Sequence, residues 1–477
     1  MAKRKRKRPA SRGSVPRRPR RGLRRPPLRL LLVAAAVTAA GGAGWLLRRA
    51  LAPVSPTVVV VLIDTLRQDA LGGYGCPDGT TPHLDALAAE SATFRDAVST
   101  SCWTLPAVGS LLTGTWPTLH GGFGKGVVLT PIRDEVPTLA EVLRDAGFRT
   151  TGVANAAFVS PMLNLDRGFD VFDHRYAYNS SIRRADESVD AAIARLRAQR
   201  RRPHFLFLHL FDPHLNYDPP PPWDRRFTQG LSGPPAPLDA TTCRSLGPDG
   251  AAWTRGVYLG EVAFVDRQVG RLAAELRRLG LWDACTFVVL SDHGEELWDH
   301  GGFEHGHSLR DELIAIPLLV KPPAAAPTAR PIVGAQVRMV DVPATLLDLA
   351  GVDAPGSFTG ESLAPLLAGR TSERLVAFAE GTLYGDDRVA WRTRENKLIV
   401  DLNAAPGEAL ELTDRTRDPA ERRNLTAEEP ETAARLQDEL GAFLGGMVER
   451  AERMSQPAPR SLAPADVERL RSLGYLR

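Results

Sequence analysis

An α/β fold with a large central, mostly parallel sheet flanked by helices follows from three features of this 477-residue chain. TVVVVLI at 57–63, FLFLHLF at 205–211 and CTFVVLSD at 285–292 are short apolar runs, the pattern of strands buried on both faces. Helical patterns over Pro82–Ser91, Ala185–Arg200 and Glu261–Leu279 lie between them, and such alternation implies parallel crossover connections. After about residue 372 the pattern changes to LVAFAE, DRVAWRT and KLIVDL and then a helix near 430–450. That change predicts a main domain over 57–372, a small α+β subdomain over 373–450 and a tail over 451–477.

The N-terminus is of a different kind. Residues 1–29 hold 14 Lys/Arg and no acid, and Leu30–Leu47 then runs 18 residues without a charge. As a helix that run spans roughly 27 Å, close to a thin hydrocarbon core. Only Arg48 and Arg49 follow, so the charge asymmetry keeps residues 1–29 in the cytoplasm and the body outside. The expectation is a cytoplasmic tail, a single-pass transmembrane anchor at 30–47 and a linker over 48–56. A cleaved signal peptide is the competing reading, but Pro53 directly after Ala50-Leu51-Ala52 counts against it. A basic nucleic-acid-binding arm is the other.

The formal net charge of +4 belongs to that tail: beyond residue 49, 44 basic residues face 56 acidic ones. An acidic body excludes a nucleic-acid-binding domain. Hydrophobic residues at 43% and charged residues at 24% exclude wholesale disorder. Cys76, Cys102, Cys243 and Cys285 are widely spaced, which excludes a zinc ribbon or disulfide scaffold. The Pro/Gly-rich stretch 213–250 reads as a long surface excursion over the sheet.

Ligands of open α/β sheets bind beyond the carboxyl ends of the strands. Asp64 follows the first apolar run, Asp212 and His214 follow the second, and Asp292 with His293 ends the third. One such Asp is ordinary turn chemistry. Three strand ends converging on carboxylates and imidazole suit one divalent cation, Mn²⁺, Zn²⁺, Ca²⁺ or Mg²⁺.

Five stretches resemble the sulfatase family of the alkaline phosphatase superfamily: VVVLIDTLRQDALGGYG, STSCWTLPAVGSLLTGTWPTLHG, LFDPHLNY, LSDHGEELWDHGGFEHGHSLRDELIAIPLLV and LTDRTRDPAERRNL. They occur in the family's order from about 57 to 425. The resemblance implies an alkaline-phosphatase-like fold, a metal held by Asp64, Asp292 and His293, and an anionic ester substrate of glycan or lipid origin. His214 matches a substrate-side or leaving-group histidine of the family. Beside the resemblance, His305 and His307 in EHGHSLRDE are candidates to bind the transferred group or a second metal, and Arg67, Asp69 and Asp212 are expected to surround and orient the ligands.

The departures carry the mechanism. Family members place C-x-P-S-R before SLLTG, and the cysteine becomes formylglycine. Counting back from Leu111-Leu112-Thr113-Gly114, with Pro106 keeping the motif's proline, puts Thr104 at the nucleophile position and Val108 at the arginine. Cys102 lies two residues too early, so no formylglycine is expected. The usual Asp-Asp pair is here Asp64-Thr65, and the lysine of the family's GKWH block is missing from VANAAFVS. A threonine hydroxyl needs activation, which a bound cation supplies, so Thr104 is expected both to touch the metal and to act as nucleophile. The expectation is a metal-dependent hydrolase or transferase acting on sulfate or phosphate esters outside the cytoplasm. The alternatives are a sulfuric ester hydrolase with attacking water and a non-catalytic binder of anionic glycans or lipid head groups.

Overall fold

Seven consecutive apolar or β-branched residues make β1 (Thr57–Ile63) the fully buried middle of an eight-stranded sheet. The other strands are β2 (Ala92–Val98), β3 (Arg149–Ala154), β4 (Val171–His174), β5 (His204–Leu210), β6 (Cys285–Ser291), β7 (Ala315–Lys321) and β8 (Ile332–Arg338). Their spatial order is β8-β2-β7-β6-β1-β5-β3-β4, and only β7 runs against its neighbours β2 and β6. The three apolar runs legible in the sequence are β1, β5 and β6, side by side at the centre. A computed structural model describes residues 56–175, 183–199, 202–327, 329, 332–370, 376–405, 409–461 and 467. The basic tail and the expected anchor at 30–47 lie outside the described residues. Among those described, no helix is long and apolar enough to cross a membrane.

The pleat decides which side chains meet. Val58, Val60 and Leu62 of β1, Phe205 and Phe207 of β5, and Val288 and Leu290 of β6 face one core, while Val59, Val61 and Ile63 face the other. The first core also holds Leu105, Ala107, Leu111 and Leu112 of α1 (Thr104–Thr113). Continuing each alternation past or along its strand, Asp64, His209 and Asp292 fall on the face covered by α1.

On the opposite face lie α2 (Ala185–Gln199) and α3 (Ala251–Arg278). Helix α3 begins ten residues before the expected Glu261. Gly256 and Gly260, poor helix formers one turn apart, sit where the excursion's backbone presses on the helix. A Cβ at either position would lie 2.6 Å from a carbonyl oxygen, of Phe227 and Trp223 respectively. The glycines therefore serve close approach rather than a break.

The C-terminal segment forms an antiparallel sheet of β9 (Ala377–Glu380), β10 (Arg388–Arg392), β11 (Asn396–Asp401) and β12 (Leu410–Asp414). Helix α4 (Pro430–Glu452) packs Leu436, Leu440 and Met447 against Phe378, Leu398 and Leu412. Buried Arg392 and Lys397 fasten this sheet to the main one through Asp311, at 2.9 and 2.8 Å, and Arg392 also reaches Asp96 at 2.7 Å. The DPAERRNL block is a structural staple: Glu421 accepts from the Asp311 amide at 2.7 Å and from Lys397 at 2.6 Å.

Candidate active site

Asp64, Asp292 and His293 present ligand atoms that all lie within 4.8 Å of one another, and none of the three is exposed to solvent. Both Asp64 carboxylate oxygens and Asp292 Oδ2 are buried without a hydrogen-bond partner. Such oxygens are costly in a dry site unless something positive joins them. His293 Nδ1 donates to the Gly294 carbonyl at 2.9 Å, which fixes the tautomer and turns the Nε2 lone pair inward. That nitrogen lies 3.6 Å from Asp64 and 3.4 Å from Asp292. Two anionic oxygens and a neutral imidazole are a donor set that fits a divalent cation.

The charges bear this out. Burial opposes ionisation of Asp64, yet His209, His214 and His293 hold its carboxyl down to about 2. Burial and then the neighbouring Asp64 push Asp292 up to about 6. Two carboxyls in one dry pocket repel, and a cation relieves that repulsion.

Thr104 opens α1 at the pocket's edge, fully buried, with Oγ1 3.3 Å from His293 Nε2. The helix N-terminus beneath it favours negative charge. Cys102 points away: its thiol reaches the Gly381 carbonyl at 3.6 Å, and burial pushes it up to about 12. Burial thus favours the protonated thiol over the thiolate.

His214 and His305 complete one wall. Their rings are 5.0 Å apart, and His305 lies 4.5 Å from the His293 ring. His214 Nδ1 donates to the Leu215 carbonyl at 2.6 Å, and burial lowers this imidazole to about 4. His305 Nδ1 donates to Glu295 at 2.9 Å, and the Tyr217 hydroxyl donates to the other Glu295 oxygen at 3.2 Å. Burial pushes Glu295 up to about 7.

Four expected residues sit elsewhere or act indirectly. His307 is not in this wall: its Nε2 pairs with Glu296 at 2.6 Å, a carboxylate that also takes the amides of His300 and Gly302. Asp212 turns away from Asp64 toward Arg184, the Ala185 amide and Glu261, and burial pushes it up to about 6. Arg67 does not touch Asp64. It ties Asp69 at 2.9 Å to Asp299 at 2.7 Å and donates to the Glu295 carbonyl at 2.7 Å, so it and Asp69 hold the loop carrying Glu295. Trp103 and Trp116 pack in the core against Phe158 and Phe378.

Sequence reasoning missed His209, Glu295 and Tyr217. His209 Nε2 lies 3.3 Å from Asp64 Oδ2, in a fully buried position. Its signal was available, because it is the one ionisable residue inside FLFLHLF.

A sheet whose strand ends offer two aspartates and a histidine to a threonine at a helix N-terminus defines an ester-cleaving enzyme of alkaline-phosphatase type. A model of the Sulfatase family matches residues 56–352, and one described as N-sulphoglucosamine sulphohydrolase, C-terminal, matches residues 299–444. The chain belongs to the sulfatase family. It is 26% identical over 425 residues to an ulvan-active sulfatase of Formosa agariphila, covering 82% of this chain and 81% of that one. A structure solved with its substrate D-glucosamine-2-N,6-O-disulfate superposes with a TM-score of 0.70 at 20% identity, over 83% of this chain and 98% of that one. The phosphonate monoester hydrolase of Agrobacterium radiobacter superposes with a TM-score of 0.70 at 19% identity, over 86% of this chain and all of that one.

Proposed function

We propose that this sulfatase-family hydrolase is metal-dependent and cleaves phosphate esters, by hydrolysis or transfer, with Thr104 as the covalent nucleophile. The observation that carries the reading is the Thr104 hydroxyl, 3.3 Å from His293 Nε2, at the helix position where family members carry their cysteine. Asp64, Asp292 and His293 are the residues that would hold the cation. When bound, a divalent cation supplies positive charge that favours the deprotonated form of a neighbouring hydroxyl and draws in an anionic ester.

This chain's own residues account for the rest. Thr104 releases its hydroxyl proton to solvent and its oxygen attacks phosphorus; the bond from phosphorus to the ester oxygen breaks, and that oxygen leaves with a proton from an imidazole, which is then reprotonated from solvent. His214 and His305 are the candidate donors. Burial holds both imidazoles neutral, and an arriving anion opposes that burial, favouring protonation as the leaving oxygen needs it. Water then attacks the phosphothreonine, or an acceptor alcohol takes the phosphoryl group. A formylglycine hydrate releases sulfate by collapse; a threonine sulfate ester has no such exit, which favours phosphorus over sulfur. The relatives named as sulfatases favour a sulfated glycan instead.

The reading includes an uncleaved anchor at 30–47 with the body outside the cytoplasm, supported by the 14-to-2 charge asymmetry around that run. Paired aryl phosphate and aryl sulfate substrates, with mass analysis of the Thr104 peptide after quenching, test the chemistry. Faster phosphate turnover with a phosphoryl group on Thr104 is expected. Sulfate turnover without an adduct would mean attacking water, and bound metal with no turnover of either would mean a binding protein.

A further inference from the structure

We infer that His209 orients Asp64 toward the cation, so that metal affinity in this chain depends on a histidine outside the set Asp64, Asp292 and His293. The inference rests on the metal-site reading above. Register places His209 beside Leu62, two residues before Asp64 on the neighbouring strand, so both side chains project from the same face of the sheet. Asp64 is thereby divided. Its Oδ1 faces His293 at 3.6 Å, and its Oδ2 faces His209 Nε2 at 3.3 Å.

The imidazole has no competing polar commitment among the described residues. Neither ring nitrogen has a hydrogen-bond partner by ordinary geometry, and the ring is fully buried. A buried histidine in an otherwise apolar strand is costly unless its N–H is used. The Asp64 oxygen is the acceptor within reach. A turn of the ring that brings Nε2–H onto Oδ2, 3.3 Å away, would hold the carboxylate and leave Oδ1 for the cation. His209 is thus a positioning residue. Partners of this kind fix ligand rotamers and cost about 10–100-fold in metal affinity when removed.

The test is Mn²⁺ affinity of the full-length protein, read from the electron paramagnetic resonance signal of the free ion, independent of turnover. His209→Leu fills the space without a donor, while His209→Gln keeps an N–H near the position of Nε2. His209→Leu is expected to bind Mn²⁺ about 10–100-fold more weakly than wild type, and His209→Gln to recover most of that loss. His209→Phe, a ring without nitrogens, serves the same arm if the leucine variant fails to fold. Wild-type affinity in a folded Leu or Phe variant would overturn the inference, and so would a Gln variant as weak as Leu. Asp292→Asn separates this from failure of the underlying reading. If Asp292→Asn binds as wild type does, the ion is not at this site at all; if it binds weakly while His209→Leu binds tightly, only the role of His209 falls.

Discussion

Thr104 and His293 meet across the pocket with the hydroxyl oxygen 3.3 Å from Nε2, while Cys102, two residues earlier, turns its thiol to the Gly381 carbonyl. Thr104→Ala is therefore expected to lose turnover by ~10³-fold or more, since it removes the attacking atom. Thr104→Ser should retain measurable activity, and both should melt near the wild-type temperature. Cys102→Ser should keep most of the rate, with no aldehyde at position 102 by intact mass in the wild type. An active Thr104→Ala beside a dead Cys102→Ser would reverse the assignment.

Glu380 predicts a pH dependence of stability that does not involve the expected metal ligands. It is buried, facing the Thr118 amide at 2.7 Å and the Thr118 hydroxyl at 2.5 Å, and burial pushes it up to about 7. The folded state thus keeps a proton that the unfolded chain releases above its ordinary value of 4.5. Stability from this group is fully present below 4.5, falls as pH rises toward 7, and is lost above it. The shift is worth roughly 3 kcal/mol. Glu380→Gln, which stays neutral, should flatten the decline in denaturation midpoint between pH 5 and pH 8. An unchanged slope would mean that Glu380 is ionised in the folded protein.

Much of the pocket was legible because its residues end the three most apolar strands, where a carboxylate stands out against seven buried neighbours. Strands β2, β3 and β8 were not, since ATFRDAV, RTTGVA and IVGAQVR mix charges or glycine into short runs that tertiary pairing completes. His307 is grouped with His305 in the sequence because only Gly306 separates them in EHGHS. They part because the adjacent Glu295 and Glu296 each take one imidazole. No pattern in a single sequence encodes that division. The start of α3 was misplaced for a related reason: the use of Gly256 and Gly260 depends on a loop about thirty residues away in the chain.

The proposed orientation predicts a protection pattern. Protease added to intact spheroplasts should degrade the body while residues 1–29 stay protected, because the Arg/Lys excess precedes the 18-residue uncharged run. A protected body would overturn the outward orientation. A body recovered free of membranes and lacking its tail would show cleavage near Ala52.

The turn that carries Thr104 is held by His120. The Gly122 amide donates to His120 Nδ1 at 3.0 Å, so Nε2 carries the proton and lies 3.1 Å from the Pro106 carbonyl in the first turn of α1. Burial keeps this ring neutral, lowered to about 3. Its place on the helix exists because position 109 is glycine: a Cβ there would lie 2.5 Å from His120 Cε1. The ring is pinned on both nitrogens and cannot swing aside cheaply, so Gly109→Ala should cost about 1–3 kcal/mol. It should also slow turnover, because the displaced ring releases the turn that carries Thr104. In Gly109→Ala/His120→Ala the clash is gone, and the double variant should lose clearly less stability than the two single losses combined. Simple additivity in that cycle would mean that the glycine is not there for the histidine, and that the first turn of α1 is held by the surrounding core alone.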